Sequence, residues 1–404
     1  MALSDYRVLI SGAGVAGPTL AWWLARYGAE VTVVEKAPAL RESGFAVDFR
    51  GPTHLGVLDR MGLLDDLRAV QTNGTAMCSV DRDGREIFTL PAEFTGGAIE
   101  VYRRDLSRLL HEHSRDSCEY LFGDEITDLA EEPDGVRVTF ASGRTGRYDL
   151  VVGADGLHSA VRRLAFGPES RFVRHLGYHI AGWTLPNEIG ADRTARQYNE
   201  PGRMASVAAD LRVGDRAGVM AVFTSGPATV HRYDLAEQKA FVTAALTGMG
   251  WQVPALLAGL ADAGADELYL DPIARVRVPQ WTSGRIALLG DAAWGVTLGG
   301  MGVGTGVIGG YVLAGELAAA GGAPGPALAG YERRMRRFAG RWQRGANPGR
   351  FLAPATRTGL RVRNALFANA AVRRMLLSST TALATDAGLP DYGSAATPVP
   401  PKVG

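Results

Sequence analysis

The sequence predicts a mixed α/β fold (α+β overall), with a parallel-sheet half of the doubly wound type, a second layer of antiparallel sheet, and helices at the C-terminal end. Three observations carry that prediction. A strand, a glycine turn, a helix and a second strand follow one another between Tyr6 and Lys36. Two further apolar runs, Asp149 to Gly156 and Arg285 to Asp291, end in paired glycine and aspartate. Between Pro168 and Pro272 the texture changes to alternating runs that suit antiparallel strands.

In the first unit, Arg7-Val8-Leu9-Ile10 reads as a buried strand leading into Gly12-Ala13-Gly14-Val15-Ala16-Gly17. Gly12 permits a tight turn, Gly14 lets backbone approach a pyrophosphate, and Gly17 lets the helix lie close on the sheet. The helix runs from about Val15 to Tyr27, with Leu20, Trp23, Leu24 and Tyr27 on one face and Gly28 placed to end it. Val31 to Val34 is the next parallel strand. Glu35 at its carboxyl end is positioned to accept hydrogen bonds from the two ribose hydroxyls of an adenosine. The helix start turns its free N–H groups to the phosphates, so the unit is a Rossmann-like dinucleotide site, for FAD or NAD(P) alike.

Arg41 and Arg50, flanking the segment that contains Asp48, are near enough in sequence to contribute cations to a diphosphate; solvated loop arginines are the alternative. Thr53 to Leu64 reads as a helix, Thr75 to Leu90 as a hairpin turning at Asp83-Gly84, and Arg103 lies where the next helix opens. A second hairpin joins 125–129 to 136–140. Asp155-Gly156 then ends a buried strand at the edge where open parallel sheets bind ligands, with Ser159 and Arg162 on a short helix behind it.

The antiparallel layer takes strands at 179–185, 194–199, 205–212 and 218–224, fed by the hairpin near residue 80, and helices near 235–249 and 254–261. His179, Trp183, Tyr198, Met220 and Phe223 are its candidate pocket residues, although strand aromatics and methionines are more often core. After Asp291 comes the run Gly299 to Gly306 and a helix through Leu317. The glycines let amides approach a flat ring, and the helix start offers positive partial charge. Helices are expected at 327–342 and 360–382, about a dozen arginines lie between Arg333 and Arg374, and Pro398, Pro400 and Pro401 mark a loose tail.

Composition excludes several classes. With 404 residues and a net charge of +1, no global field points to a nucleic-acid partner. Cys78 and Cys118 have neither metal nor redox spacing, which suits a reduced cytoplasmic setting. His111 and His113 fall on different helix faces, so no metal site is expected. Residues 292–315 carry no charge and are long enough to span a bilayer, but glycines break them repeatedly; they read as a cofactor loop and buried helix, and no signal-peptide pattern opens the chain.

The three stretches Gly12-x-Gly14-x-x-Gly17 with Glu35, Asp149 to Gly156 with Ser159 and Arg162, and Gly290-Asp291-Ala292-Ala293 occur in the order seen in one group. The chain resembles the FAD-dependent aromatic hydroxylases, the class A flavoprotein monooxygenases typified by p-hydroxybenzoate hydroxylase. That resemblance implies bound FAD. It places Gly12, Gly14, Ala16 and Gly17 at the pyrophosphate and Glu35 at the adenosine ribose, with Lys36, Arg41, Asp48 and Arg50 as further contacts. It also implies that Arg103 reaches the flavin side, that Asp155 and Gly156 lie near the pyrophosphate and the reductant, and that Asp291 holds the ribityl chain with Gly300, Met301 and Gly302 beside the ring. One departure stands out: Trp294-Gly295-Val296-Thr297-Leu298 follows the Gly-Asp motif without the proline many relatives carry.

The implied activity is hydroxylation of an aromatic or polyketide-like, polycyclic small molecule by O2, through a flavin C4a-hydroperoxide, as in natural-product biosynthesis. NADPH or NADH is a transient reductant, consistent with a single glycine fingerprint. A cyclase using FAD structurally is the alternative, motivated by the Trp294 to Leu298 departure, and a dinucleotide sensor without chemistry is the third reading. The expected division is an FAD-binding domain of 1–70, 99–165 and 276–325, a substrate-binding domain of 71–98 and 166–275, and a helical region and tail of 326–404. Oligomeric state is expected to be monomer or homodimer, and no general base is singled out.

Overall fold

The computed structural model describes residues 3–40, 44–92, 97–210, 214–226, 230–231, 234–264, 267–299, 302–343, 347–373, 375 and 388–393. Two sheets organise it. The first has six strands in the order Thr282–Ser283, Ile286–Leu288, Leu150–Gly153, Arg7–Ser11, Glu30–Glu35, Glu119–Phe122, parallel throughout except for the first pair. Val8, Leu9, Ile10, Leu150, Val151 and Val152 are fully buried. Continuous apolar strands of this kind belong to a parallel sheet covered on both faces. Ser11 pairs with Gly153 and Gly153 with Leu288, so the three chains leave the sheet side by side at one edge.

The helix Gly302–Ala319 packs between the helices Ala16–Arg26 and Pro324–Gln343. It is long and apolar enough to cross a membrane, yet 78% of it is buried inside the protein. That is the buried helix expected from the sequence. Near the other end of the chain, Tyr392 donates to Glu316 at 2.6 Å and Tyr311 donates to the Pro390 carbonyl at 2.8 Å, docking residues 389–392 on this helix. Pro398, Pro400 and Pro401, and most of the expected helix beyond Ala368, lie outside the described residues.

The second sheet has seven strands: Tyr269–Val276, Val173–Pro186, Arg216–Thr224, Arg203–Ala209, Ala195–Glu200, Met77–Val80, Glu86–Leu90. All neighbours are antiparallel except Ala195–Glu200 and Met77–Val80. The hairpin near residue 80 therefore does feed this layer. The strand Tyr269–Val276 was not expected, and Pro272 inside it explains why. A proline removes a ladder donor and is tolerated only where one side of the strand is unpaired, as at this edge. The short antiparallel pair Ala46–Phe49 and Ile99–Tyr102 was likewise not anticipated.

Strand side chains alternate between faces, so each face is assigned by parity. Ala181, Trp183, Tyr198, Val207, Val219 and Phe223 pack under the helices Leu235–Leu246 and Val253–Asp262, where the Trp183 indole donates to the Leu256 carbonyl at 3.1 Å. Ile180, Met204, Met220 and Val222 take the opposite face, together with Phe45 and Leu298 from the first half. A Cβ on Gly182 would lie 2.6 Å from the Phe45 ring, so glycine there lets that ring rest directly on the sheet.

Candidate active site

At the edge where the parallel strands end, the first turn is packed to backbone contact. Gly12 has φ +107°, and a Cβ on it would lie 2.5 Å from the Ala154 carbonyl oxygen. One on Gly17 would run into the Gly12 carbonyl. Gly14 is open except for the Arg103 guanidinium, whose Nη2 stands 3.8 Å from where its Cβ would be. Glu35 closes over the turn: Oε2 accepts from the Ala13 amide and Oε1 from the Ala37 amide, both at 2.9 Å.

Asp155 caps the helix Ala160–Ala165 with one oxygen, Oδ2 accepting from the Ala160 and Val161 amides at 2.8 and 3.1 Å and from the Ser11 hydroxyl at 3.2 Å. Its Oδ1 is buried with no partner among the described residues. Burial pushes the Asp155 carboxyl above the usual range, against the pull of those hydrogen bonds. Asp291 lies on the neighbouring turn. Burial raises its carboxyl too, Arg103 opposes the rise and Asp271 adds to it. Cβ atoms on Gly290 and Gly306 would meet the Ala16 methyl at 3.2 and 3.3 Å, and one on Gly302 would lie 3.2 Å from Asp291 Oδ1. The glycine turn, Asp291 and the start of the long helix thus converge on Ala16.

This donor set fits a dinucleotide. Open amides and a guanidinium at Gly14 suit phosphate oxygens, and Glu35, Asp291 and the spare oxygen of Asp155 suit hydroxyl donors. The other expected residues have the following surroundings. Lys36 pairs with Glu125 at 3.0 Å. Asp48 and Arg50 pair with each other, and the Arg50 carbonyl bonds His54 Nδ1 at 2.6 Å. Gly156 has φ +77° with open space around it. Arg41, Gly300 and Met301 lie outside the described residues. Of the five candidate pocket residues, only Met220 faces the first half; His179 stacks on Phe223 and meets Phe241 edge-on, and Trp183, Tyr198 and Phe223 belong to the opposite core.

Sequence reasoning missed a file of acidic and basic groups joining the two halves. Tyr269 donates to Asp271 Oδ2 at 3.0 Å, Asp271 Oδ1 meets His158 Nε2 at 3.1 Å, and His158 Nδ1 meets Glu169 at 3.1 Å. Burial keeps the Tyr269 phenol protonated well beyond its usual range. Tyr269 touches the Phe45 ring edge-on, centroids 5.5 Å apart, beside Met220 and Leu298. No sequence spacing announces this file, because its members come from separate segments. Trp294 turns inward, donating to the Thr305 hydroxyl at 3.2 Å and packing on Trp281, so that part of the departure after the Gly-Asp motif reshapes the core behind the turn.

Comparison with known proteins agrees with this geometry. Residues 5–172 match the FAD binding domain family. A flavin-dependent monooxygenase from an unknown prokaryotic organism is 35% identical over 77% of this chain and 81% of its own. The flavin-dependent monooxygenase of Legionella longbeachae is 33% identical over 83% and 86%. The crystal structure of a tetracycline destructase superposes with a TM-score of 0.81 at 27% identity, covering 96% of this chain and all of that one. With relatives at this identity along most of both lengths, the chain belongs to the FAD-dependent monooxygenases.

Proposed function

We propose that this enzyme hydroxylates an electron-rich, fused-ring aromatic or polyketide-like molecule, using NADPH or NADH and O2. The observation that carries the reading is the apolar seam where partly buried Met220 and Tyr269 of the seven-stranded sheet cluster with Phe45 and Leu298 of the cofactor half. A water-poor wall of this kind orients a planar apolar substrate and protects the reaction from solvent. Tetracycline, the compound for which one structural neighbour is named, is itself a four-ring phenolic polyketide and makes a rational probe.

Bound FAD would supply hydride acceptance from the nicotinamide and transfer of one oxygen atom of O2 to the substrate ring. The protein does the rest. Gly12, Gly14 and Gly17 give the pyrophosphate its amides, with Arg103 as counter-ion; Glu35 and Asp291 hold ribose and ribityl hydroxyls; Asp155 Oδ1 takes one further donor. Tyr269, Asp271, His158 and Glu169 offer a proton released from a substrate hydroxyl a path toward the surface, since Glu169 at the outer end is partly exposed. The test is NAD(P)H and O2 consumption by the yellow protein across phenols of one to four fused rings. Stimulation that grows with ring number supports the reading; equal, unstimulated rates with every compound overturn it.

A further inference from the structure

The edge strand Tyr269–Val276 and its neighbour Val173–Pro186 bring three arginines together. Arg174 stands directly opposite Arg275 in the ladder. The Arg277 amide donates to the Phe172 carbonyl at 2.8 Å, which carries the pairing past the strand end and keeps Arg277 beside the same two residues. Like charges in directly opposed strand positions, with Cβ atoms about 5 Å apart, destabilise a sheet. Burial first, then the Arg277 and Arg174 charges, hold the Arg275 guanidinium below its usual range, as expected when three cations crowd one another.

Arg174 and Arg277 are exposed, and neither meets an acidic side chain among the described residues. The nearest acids in sequence are committed, Glu169 to His158 and Arg162, and Asp271 to Tyr269 and His158. Arg275 shares its strand face with Asp271, about 14 Å away along the strand, and Asp271 meets His158, two residues beyond the open turn at Gly156. On its outer side Arg275 bridges Val296, in the loop that follows Asp291. The cluster therefore lies at the rim of the cofactor half, on the side where Gly156 leaves the turn open.

An arginine fork is always charged and matches phosphate oxygens two at a time. Three such forks call for more negative charge than one carboxylate carries, and a phosphate monoester brings about −2 at neutral pH. NADPH and NADH differ by one such monoester, on the adenosine 2′ oxygen. We propose that Arg174, Arg275 and Arg277 bind that 2′-phosphate, so that this enzyme takes NADPH in preference to NADH. The inference rests on the hydroxylase reading above and chooses between its two reductants. The reductant then lies across the rim, its adenosine end at the arginines and its nicotinamide end toward the cofactor turn.

The experiment compares FAD-loaded wild type with Arg174→Gln and Arg277→Gln, both at exposed positions. In one arm, 2′,5′-ADP, 5′-AMP and inorganic phosphate are titrated calorimetrically, without turnover. Wild type is expected to hold 2′,5′-ADP about tenfold tighter than 5′-AMP, the equivalent of about 1.4 kcal/mol, and each variant to lose that preference. Equal affinity of wild type for the two nucleotides overturns the proposal, and so does inorganic phosphate binding as tightly as 2′,5′-ADP. The Tm of ligand-free Arg174→Gln is expected to equal or exceed that of wild type, because a like charge has been removed from the ladder; a fall of several degrees would mean that the arginine serves the fold, and overturns it too. In the other arm, the ratio of KM for NADH to KM for NADPH, measured with the fused-ring phenol that stimulates best, is expected to fall about tenfold in either variant. Parallel changes with both reductants overturn the proposal. If wild type responds to no compound in the ring series, the hydroxylase reading fails, and the calorimetric arm still decides whether the arginines hold a 2′-phosphate.

Discussion

Around Gly12, Glu35 and Asp291 the binding surface is built from backbone amides and from carboxylates at strand ends, whereas the seven-stranded sheet above offers side chains from alternate positions of its strands. The difference shows in what each region tolerates. In the cofactor half, strand, turn and helix touch backbone to backbone, so one added methyl has nowhere to go. In the sheet layer, backbone contacts are the ordinary ladder, and the faces divide the packing: one covers a core under two helices, and the other meets the cofactor half at Phe45 and Leu298 and the C-terminal helices at Leu352 and Phe367.

The harshest way to break this contrast is Gly17→Val. Its side chain would collide with the Gly12 carbonyl, and we expect protein that purifies colourless and takes up no FAD, read from its visible absorbance. Yellow protein with full FAD content would show that the turn is not the tight backbone seat described. A sharper comparison pairs the two faces of the sheet. Trp183→Ala should lose about 3–5 kcal/mol of stability in denaturant unfolding, because it empties a fully buried site. Met220→Ala should leave stability within about 1 kcal/mol, since Met220 is only partly buried, and raise KM several-fold for fused-ring phenols. Equal KM changes in the two variants would mean that parity does not divide the layer by function.

The smallest effect concerns pH. Burial beside Phe223 and Phe241 lowers the His179 pKa from its ordinary 6.5 to about 4, with His175 adding to the depression. The unfolded chain therefore binds the proton more readily. Stability from this group is present above pH 6.5 and is lost as pH falls toward 4, by up to about 3 kcal/mol. His179→Phe should flatten that part of the stability profile, measured by unfolding at stepped pH. An unchanged slope would place the titration elsewhere.

Much of the cofactor half was legible in advance because its chemistry is local. Gly12, Gly14 and Gly17 lie within one turn, and Glu35 and Asp291 each sit at the end of a strand that apolar residues announce. Lys36 illustrates the limit: it follows Glu35 in sequence, but its side chain turns to Glu125. In the sheet layer the strands were readable and their faces were not. His179, Trp183, Tyr198 and Phe223 looked as suitable for a pocket as Met220, and residue type cannot separate them when both faces are buried. Pro272 also hid the edge strand that brings Tyr269 and Asp271 to the site.

The amino-acid order alone predicts a dinucleotide-binding fold and points to a glycine turn and strand-end carboxylates for its seat, because neighbouring residues and strand periodicity specify backbone geometry within a few tens of residues. Only the folded chain decided which side of the seven-stranded sheet meets the cofactor half. It alone assembled Tyr269, Asp271, His158 and Glu169 into one file and set Arg174 beside Arg275. These are contacts between residues far apart along the chain, fixed by strand register and by the packing of one layer on another, and no local pattern encodes them.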